Sequence, residues 1–193
     1  MCGHDVLDSL DELYYTIREV CLHYDYWRLM IDPISRKDYS RPFRAYPLFF
    51  GISNHGHFVT MVIGLYRLYE TRDDTHNIPT LLKQLRLQKK LPEPMLAQFE
   101  KRCSAAKPIW KKVSILRNQA YGHKTWELSG IDVFKKASLD YEKDIPKLID
   151  DSKALINDIR QFLRGETYFY DVVDMSSETK ELLAVLQKDL VGR

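Results

Sequence analysis

The sequence has little of what marks several protein classes. Its 193 residues include only three cysteines, eight glycines and eight prolines, and 29 Lys and Arg nearly balance 27 Asp and Glu. So few glycines and prolines exclude collagen-like and low-complexity chains. A hydrophobic content of 45% with a net charge of +2 excludes a disordered chain. The near-zero net charge also excludes a general polycationic coat for nucleic acid, so that any contact with RNA or DNA must be local.

The cysteines predict a reducing compartment. Cys2, Cys21 and Cys103 are odd in number and too widely spaced for a zinc knuckle or a redox motif. The first residues, Met-Cys-Gly-His-Asp, lack the basic-then-apolar order of a signal peptide. We therefore expect a cytoplasmic protein.

One segment is long and apolar enough to be tested as a membrane span. Residues 45–66 contain no Asp, Glu, Lys or Arg, and that length can cross a bilayer. Asn54 and His57 lie in its middle, however, and their polar groups would be unpaired in hydrocarbon. We expect a buried helix of a soluble protein and no membrane contact.

The patterns of common catalytic and metal sites are absent from the sequence. The phosphate-binding and dinucleotide glycine patterns, Gly-x-Ser-x-Gly, His-Glu-x-x-His and Glu-x-x-His do not occur. His55 and His57 form the one close histidine pair, with no carboxylate near them in sequence. A metal site there is only weakly indicated, and a polar helix N-terminal turn is the alternative. We predict neither a metal nor a cofactor.

Apolar residues recur at helical spacing, whereas strand-like alternation is almost absent. From Val6 to Ile31 the apolar positions alternate steps of three and four, which keeps one apolar seam along a helix of about seven turns. Residues 33–47, with three prolines, are typical of a connection. The nearly all-apolar run over residues 58–66 predicts a central, buried helix.

The second half of the chain continues the helical pattern. A short helix is predicted around Leu81 and Leu85, and a long one over residues 95–120 with a kink or restart at Pro108. Two more are predicted, one from an N-cap at Ser138 to Gly165 and one capped by Ser176 or Ser177. Thr167 to Val173 suggests a short extended piece. We therefore predict an all-α, up-and-down bundle of about five or six helices that forms one domain over residues 1–193.

The segment whose side chains are best suited to catalysis is Leu116-Arg117-Asn118-Gln119-Ala120-Tyr121-Gly122-His123. Arginine carries a permanent charge on a planar fork that fits phosphate, and histidine exchanges a proton near neutral pH. Together such groups can cleave RNA without a metal. His123 would deprotonate the ribose 2′-hydroxyl or protonate the leaving oxygen, and Arg117 would stabilise charge on the phosphate. Asn118 has a donor and an acceptor with which to orient a neighbour.

Helix geometry places a condition on this site. Arg117 and His123 are six positions apart, which is about 600° around a straight helix and roughly 120° from the same face. Either Gly122 ends the helix and turns His123 back, or a second subunit completes the site. The alternative is that Arg117 near a helix C-terminus complements the macrodipole and that Gly-His is an ordinary helix end.

The same segment resembles the motif of the HEPN superfamily, in which Arg and a polar residue such as Asn precede His by four to six intervening positions. Arg117-Asn118 and His123 match with five intervening residues. The run Gly64-Leu65-Tyr66-Arg67-Leu68-Tyr69-Glu70, followed by Asn77-Ile78-Pro79-Thr80-Leu81-Leu82, is similar to the central helix and leucine-rich turn of the abortive-infection AbiU branch. The resemblance covers most of residues 5–165.

The resemblance implies a helical bundle that dimerises with itself or with a related chain, so that two motifs face each other across a cleft. It implies a metal-independent endoribonuclease of a toxin–antitoxin or phage-defence system, with RNA as substrate. Arg117 would hold the scissile phosphate, Asn118 would orient it or its histidine, and His123 would act as acid or base. Some family toxins have a Tyr two residues after the His that a partner nucleotidyltransferase modifies. Thr125 occupies that position here, which puts that regulation in doubt while an antitoxin partner stays an expectation.

Basic and aromatic residues near the motif are candidates for RNA contacts. Lys111 and Lys112 precede it on the same helix and could follow a phosphate backbone, and Tyr121 could stack on a base. A solvated lysine face and a core aromatic residue are the alternatives. The runner-up function is a non-catalytic HEPN-like module that binds a nucleotide or a protein partner.

Overall fold

The computed structural model describes residues 5–122, 130–170 and 174–191, and these ranges contain helices and connections but no strand. The predicted all-α fold is confirmed. The elements in chain order are α1 (Val6–Ile31), α2 (Pro33–Asp38), α3 (Ser40–Ala45), α4 (Pro47–Tyr69), α5 (Ile78–Leu87), α6 (Glu93–Ile115), a π-helix (Leu116–Gly122), α7 (Gly130–Ala137), α8 (Asp144–Arg164) and α9 (Met175–Val191).

Helix α1 follows the predicted seam from Val6 to Trp27, whereas Ile31, predicted as its last position, is 41% exposed. Asp5 caps it by accepting a hydrogen bond from the Leu7 amide at 3.2 Å. The side chains from Val6 to Met30 that recur at steps of three and four are buried, and they pack mainly against α4 and also against α8 and α9. The helix ends at Asp32, whose carboxylate accepts from the Ser35 amide at 2.8 Å and so begins α2.

A glycine allows α1 and α4 to approach closely. A Cβ built on Gly64 of α4 would lie 2.5 Å from Cγ2 of Val20 on α1, which is nearer than two carbon atoms can come. Val20 is buried in the main core, one turn from the fully buried Ile17, and Gly64 is half-buried and precedes the fully buried Leu65. The missing side chain at position 64 therefore sets the spacing of the two helices that form the largest contact in the described chain.

Several predicted boundaries were wrong. Residues 33–47 do not form a plain connection, because α2 and α3 occupy most of it; Pro33 begins α2 at the first position, where a missing amide costs nothing. Helix α6 continues through Pro108, so the predicted restart does not occur there, and the alternative, a kink, stays a prediction. Ser138 follows the end of α7 with a positive φ of 46° and does not begin α8.

The start of α9 also differs from the prediction. Its cap is Asp174, whose carboxylate accepts from the Ser177 amide at 2.9 Å, rather than Ser176 or Ser177. Helix α8 does end at Gly165 as predicted, with a left-handed φ of 71°. Thr167 to Tyr170 is not helical, and the last residues of the predicted extended piece lie outside the described residues.

Helix α4 is less buried than its apolar sequence predicts. Its inner face, including Met61 and Leu65, is fully buried against α1. Its outer face exposes apolar side chains, and Leu48 and Ile52 are 78% and 72% accessible. In the described chain, α4 is the one helix long and apolar enough to cross a membrane. That is weak evidence for a span, because a core helix of a soluble protein meets the same criterion.

Helix α9 closes a smaller second cluster at one end of the molecule. Leu183 is fully buried there against Tyr26 and Met30 of α1 and Phe50 of α4. The five longest helices, α1, α4, α6, α8 and α9, correspond to the predicted bundle, and α5 is the predicted short helix.

Candidate functional site

The predicted motif begins where α6 changes into a π-helix. Helix α6 continues without interruption into the π-helix over Leu116–Gly122, a form that is rare and often found at functional sites. Leu116 is fully buried and fixes the start of this turn in the core. Arg117 and Asn118, the next two residues, are half-buried and reach solvent.

The side chains of Arg117 and Asn118 are hydrogen-bonded to each other. Nη1 of Arg117 donates to Oδ1 of Asn118 at 2.8 Å. Nδ2 of Asn118 in turn donates to Oγ of Ser114, one turn earlier, at 3.2 Å. Since Asn118 uses both its acceptor and a donor, its amide is fixed relative to the helix, and the arginine fork is fixed relative to the amide.

Two aromatic residues lie beneath the guanidinium. Cζ of Arg117 is 4.7 Å from the centroid of the Tyr66 ring at the end of α4. The ring of Tyr66 stacks on that of Trp110, with centroids 5.8 Å apart and planes inclined by 23°. The indole N–H of Trp110 also donates to the backbone carbonyl of Tyr66 at 3.0 Å.

Tyr121, at the other end of the π-helix, is surrounded by aromatic rings. It meets His55 and Phe58 of α4 edge-on, at centroid distances of 5.8 and 6.2 Å, and Phe134 of α7 at 6.5 Å. Burial raises the pKa of its hydroxyl to about 12, so the phenol is neutral at physiological pH. Base stacking by Tyr121 stays a prediction. The part of its ring that packs against these neighbours is not available to a base.

The family comparison supports the resemblance seen in the sequence. The family described as AbiU2, a HEPN family, matches residues 5–187, and that range spans nearly every described element. The chain belongs to the HEPN AbiU2 family. No curated protein and no solved structure matches it.

The lysines of this AbiU2 protein differ in their availability. Lys112, predicted to contact RNA, has its Nζ 2.8 Å from Oδ2 of Asp144 at the start of α8, and Lys111 is exposed. Lys83 and Arg86 of α5 also have acidic partners: Lys83 is paired with Asp73, and Arg86 with two glutamates. Ion pairing therefore accounts for part of the basic surface, whereas Lys111 is the better placed of the two lysines to meet a phosphate.

The histidine of the motif is not among the described residues. His123, Thr125 and Trp126 lie outside them. The meeting of Arg117 and His123 at one phosphate therefore stays a prediction, and so does the catalytic assignment of all three motif residues.

The paired histidines of α4 point to different neighbours. Nδ1 of His57 is 2.8 Å from Nδ1 of His23 on α1, and the His57 ring stacks on Tyr26 with centroids 3.8 Å apart. His55 contacts Tyr121 instead. The two histidines thus do not converge, and no group of three metal-binding side chains occurs in the part of the chain that the structure describes. Sequence reasoning missed His23, since only the packing of α1 on α4 brings it to His57.

The His23–His57 contact is expected to make the free energy of unfolding depend on pH. One Nδ1 must donate and the other accept, so protonating both would place two N–H groups against each other. Desolvation by burial lowers the pKa of both imidazoles from the ordinary value of 6.5. Glu19 partly opposes this lowering at His23. Below about pH 6.5, the two histidines take up protons in the unfolded chain more readily than in the folded chain. The folded state therefore loses stability as the pH falls.

We therefore expect the free energy of unfolding to be highest above about pH 6.5 and to fall below it. The variant His57→Phe keeps the stack on Tyr26 and should show a flatter decline between pH 7.5 and 5.5 in urea unfolding. His55→Gln, at an exposed position on the same helix, should decline as the wild type does. An unchanged slope in His57→Phe would contradict the assignment.

Proposed function

We propose that this AbiU2 protein is a metal-independent endoribonuclease that acts as a dimer in phage defence or in a toxin–antitoxin system. The observation that carries the proposal is the Arg117–Asn118 pair, hydrogen-bonded at 2.8 Å and partly open to solvent at the start of a π-helix. A planar cationic fork held in one orientation at the surface suits the phosphate of a polymer.

The proposed reaction uses the neighbouring ribose as nucleophile. The 2′-oxygen attacks phosphorus while its proton passes to a base, the bond from phosphorus to the 5′-oxygen breaks, and that oxygen receives a proton. The products are a 2′,3′-cyclic phosphate and a 5′-hydroxyl. His123 serves as acid or base, Arg117 stabilises charge on the phosphate oxygens, and Asn118 orients the guanidinium.

The exposed face of α4 supports the dimer. Its apolar side chains, which include Leu48, Ile52 and Ile63, lie in a segment with no charged residue. Such a face meets its own copy without charge repulsion, as a two-fold contact requires. The face is also continuous with the motif, because Tyr66 on α4 contacts Arg117 and His55 contacts Tyr121. We propose that a second copy docks on this face and so brings the two motifs together.

A charge on this face should separate the subunits. Ile52 is 72% exposed on α4, and Leu87 is 74% exposed on α5. We expect Ile52→Asp to be monomeric in sedimentation equilibrium, because a carboxylate would be buried against its own copy, and Leu87→Asp to dimerise like the wild type. Wild-type protein that is monomeric at every concentration would refute the dimer.

Growth in a bacterial host tests the function as a whole. Expression of the wild type should arrest growth, and expression of His123→Ala at the same level should not. A partner that binds both proteins equally, with no RNA cut by either, would instead favour the non-catalytic binding module.

The proposal also has consequences for location and partners. We place the protein in the cytoplasm, in accord with the small number and wide spacing of its cysteines, of which Cys21 and Cys103 are buried. We further propose that a cognate antitoxin restrains it; regulation by nucleotidyl transfer has less support, because Thr125 replaces the tyrosine.

A further inference from the structure

Arg117 differs from other arginines of the structure in what holds it. Arg72, Arg86, Arg102 and Arg160 each lie within 3.2 Å of a carboxylate oxygen. In the described ranges, Arg117 has no such ion pair. Its partners are the amide oxygen of Asn118 and the face of the Tyr66 ring, and both are neutral.

This difference matters for binding an anion. A carboxylate partner would cancel the positive charge and occupy two of the five N–H donors of the guanidinium. An aromatic face attracts a cation through its quadrupole and uses no N–H donor. Across the described residues, the bond to Asn118 is the only hydrogen bond that the guanidinium makes, so none of those residues cancels its charge, and most of its N–H donors have no partner among them.

We propose that Tyr66 is a positioning residue for Arg117, with Trp110 as its support. The proposal rests on the proposed function, because the phosphate that Arg117 would meet is that of RNA. The ring of Tyr66 fixes the plane of the guanidinium, and Asn118 fixes the rotation of the fork within that plane. The orientation of the Arg117 guanidinium thus depends on two elements that are distant in sequence, the end of α4 and the start of the π-helix.

Trp110 also contacts the ring of Tyr66. It lies on α6, two turns before Arg117, and its indole both stacks on the Tyr66 ring and donates to the Tyr66 carbonyl at 3.0 Å. The backbone and the side chain of Tyr66 are therefore held by the same helix that carries Arg117. The hydroxyl of Tyr66 has no part in this arrangement, so a phenyl ring should serve equally well.

Steady-state cleavage of one RNA by four proteins tests the proposal. Tyr66→Leu should lower kcat by about three- to tenfold with little change in KM, as loss of a half-exposed cation–π contact implies. Tyr66→Phe should equal the wild type. Tyr14→Leu is the matched control, because Tyr14 is also half-buried and stacks on Tyr168 at 4.3 Å, with no contact to Arg117; its kcat should not change.

Two further variants separate positioning from simple structural damage. Tyr66→Leu added to Arg117→Ala should lower kcat no further, because Tyr66 acts through Arg117. Pentafluorophenylalanine at position 66 keeps the ring shape but reverses its quadrupole. It should lower kcat at least as much as the three- to tenfold expected of Tyr66→Leu, and it keeps the test valid if the leucine variant folds poorly. The proposal would be overturned if Tyr66→Leu and Tyr14→Leu changed kcat equally. It would also be overturned if Tyr66→Leu lowered kcat as much in the Arg117→Ala background as in the wild type.

A readout that needs no activity distinguishes this proposal from the nuclease itself. In protein labelled with 15N-arginine, the side-chain resonances of Arg117 should show a ring-current shift in the wild type and Tyr66→Phe that is lost in Tyr66→Leu. If no RNA is cut but the shift behaves in this way, the proposed function fails and the positioning contact stands. If RNA is cut and the shift is absent, the positioning role fails alone.

Discussion

Arg117→Ala is expected to lower kcat for RNA cleavage by about 100- to 1,000-fold, the usual loss when one fixed group that stabilises transition-state charge is removed. The guanidinium is held by Asn118 and Tyr66 before any substrate arrives, so little reorganisation precedes the reaction. Arg117→Lys should recover only a small part of the rate, because a point charge cannot reproduce the planar fork. Single-turnover cleavage of a labelled RNA measures both.

Arg67→Ala is the matched control for this prediction. Arg67 is an exposed arginine next to Tyr66 at the same end of α4, so its loss removes an equal charge from the same region. We expect a modest rise in KM through weaker attraction of RNA and an unchanged kcat. If Arg67→Ala and Arg117→Ala reduce cleavage equally, general positive charge rather than a fixed site explains the activity.

The second large effect is on stability, at the contact of α1 and α4. Gly64→Ala should destabilise the protein by about 1–3 kcal/mol, because the new Cβ would lie 2.5 Å from Cγ2 of Val20 and force the helices apart. Gly56→Ala on the same helix should instead stabilise it by about 0.5–1 kcal/mol, because a Cβ there has no neighbour within 4 Å and alanine favours a helix. Urea unfolding at one protein concentration measures both.

A compensating change identifies the cause of the Gly64 effect. Val20→Ala removes the methyl groups that the new Cβ would meet, so the double variant Val20→Ala/Gly64→Ala should be less destabilised than the sum of the two single changes. If the losses add, the cost at Gly64 does not come from Val20, and the close approach of the helices does not depend on this glycine.

Local signals in the sequence predicted most of the architecture. The seam of α1 is explicit because nearly every inward position is apolar, and Gly165 ends α8 through a backbone conformation that glycine adopts readily. The errors arose where tertiary context decides. Prolines in residues 33–47 indicated a connection, yet Pro33 and Pro47 stand at the first turns of helices, where proline is favourable.

The candidate site was only partly predictable. The residue types of Arg117 and Asn118 indicated a phosphate site, but no spacing rule gives the π-helix that carries them. Tyr66 and Trp110 are 51 and seven positions before Arg117 in the sequence, so only the packing of α4 on α6 shows their contact with it. Apolar periodicity likewise could not reveal that α4 is exposed on one face, since that depends on which helices cover it.

We propose that this AbiU2 protein cuts RNA by attack of the ribose 2′-hydroxyl, with Arg117 at the phosphate and no metal required. Mapping the ends of RNA cut by the purified wild type in excess EDTA tests it most directly, with Arg117→Ala as the control. We expect fragments with a 2′,3′-cyclic phosphate and a 5′-hydroxyl from the wild type and almost none from the variant. Fragments with a 3′-hydroxyl and a 5′-phosphate, or cleavage that stops when EDTA is added, would contradict it.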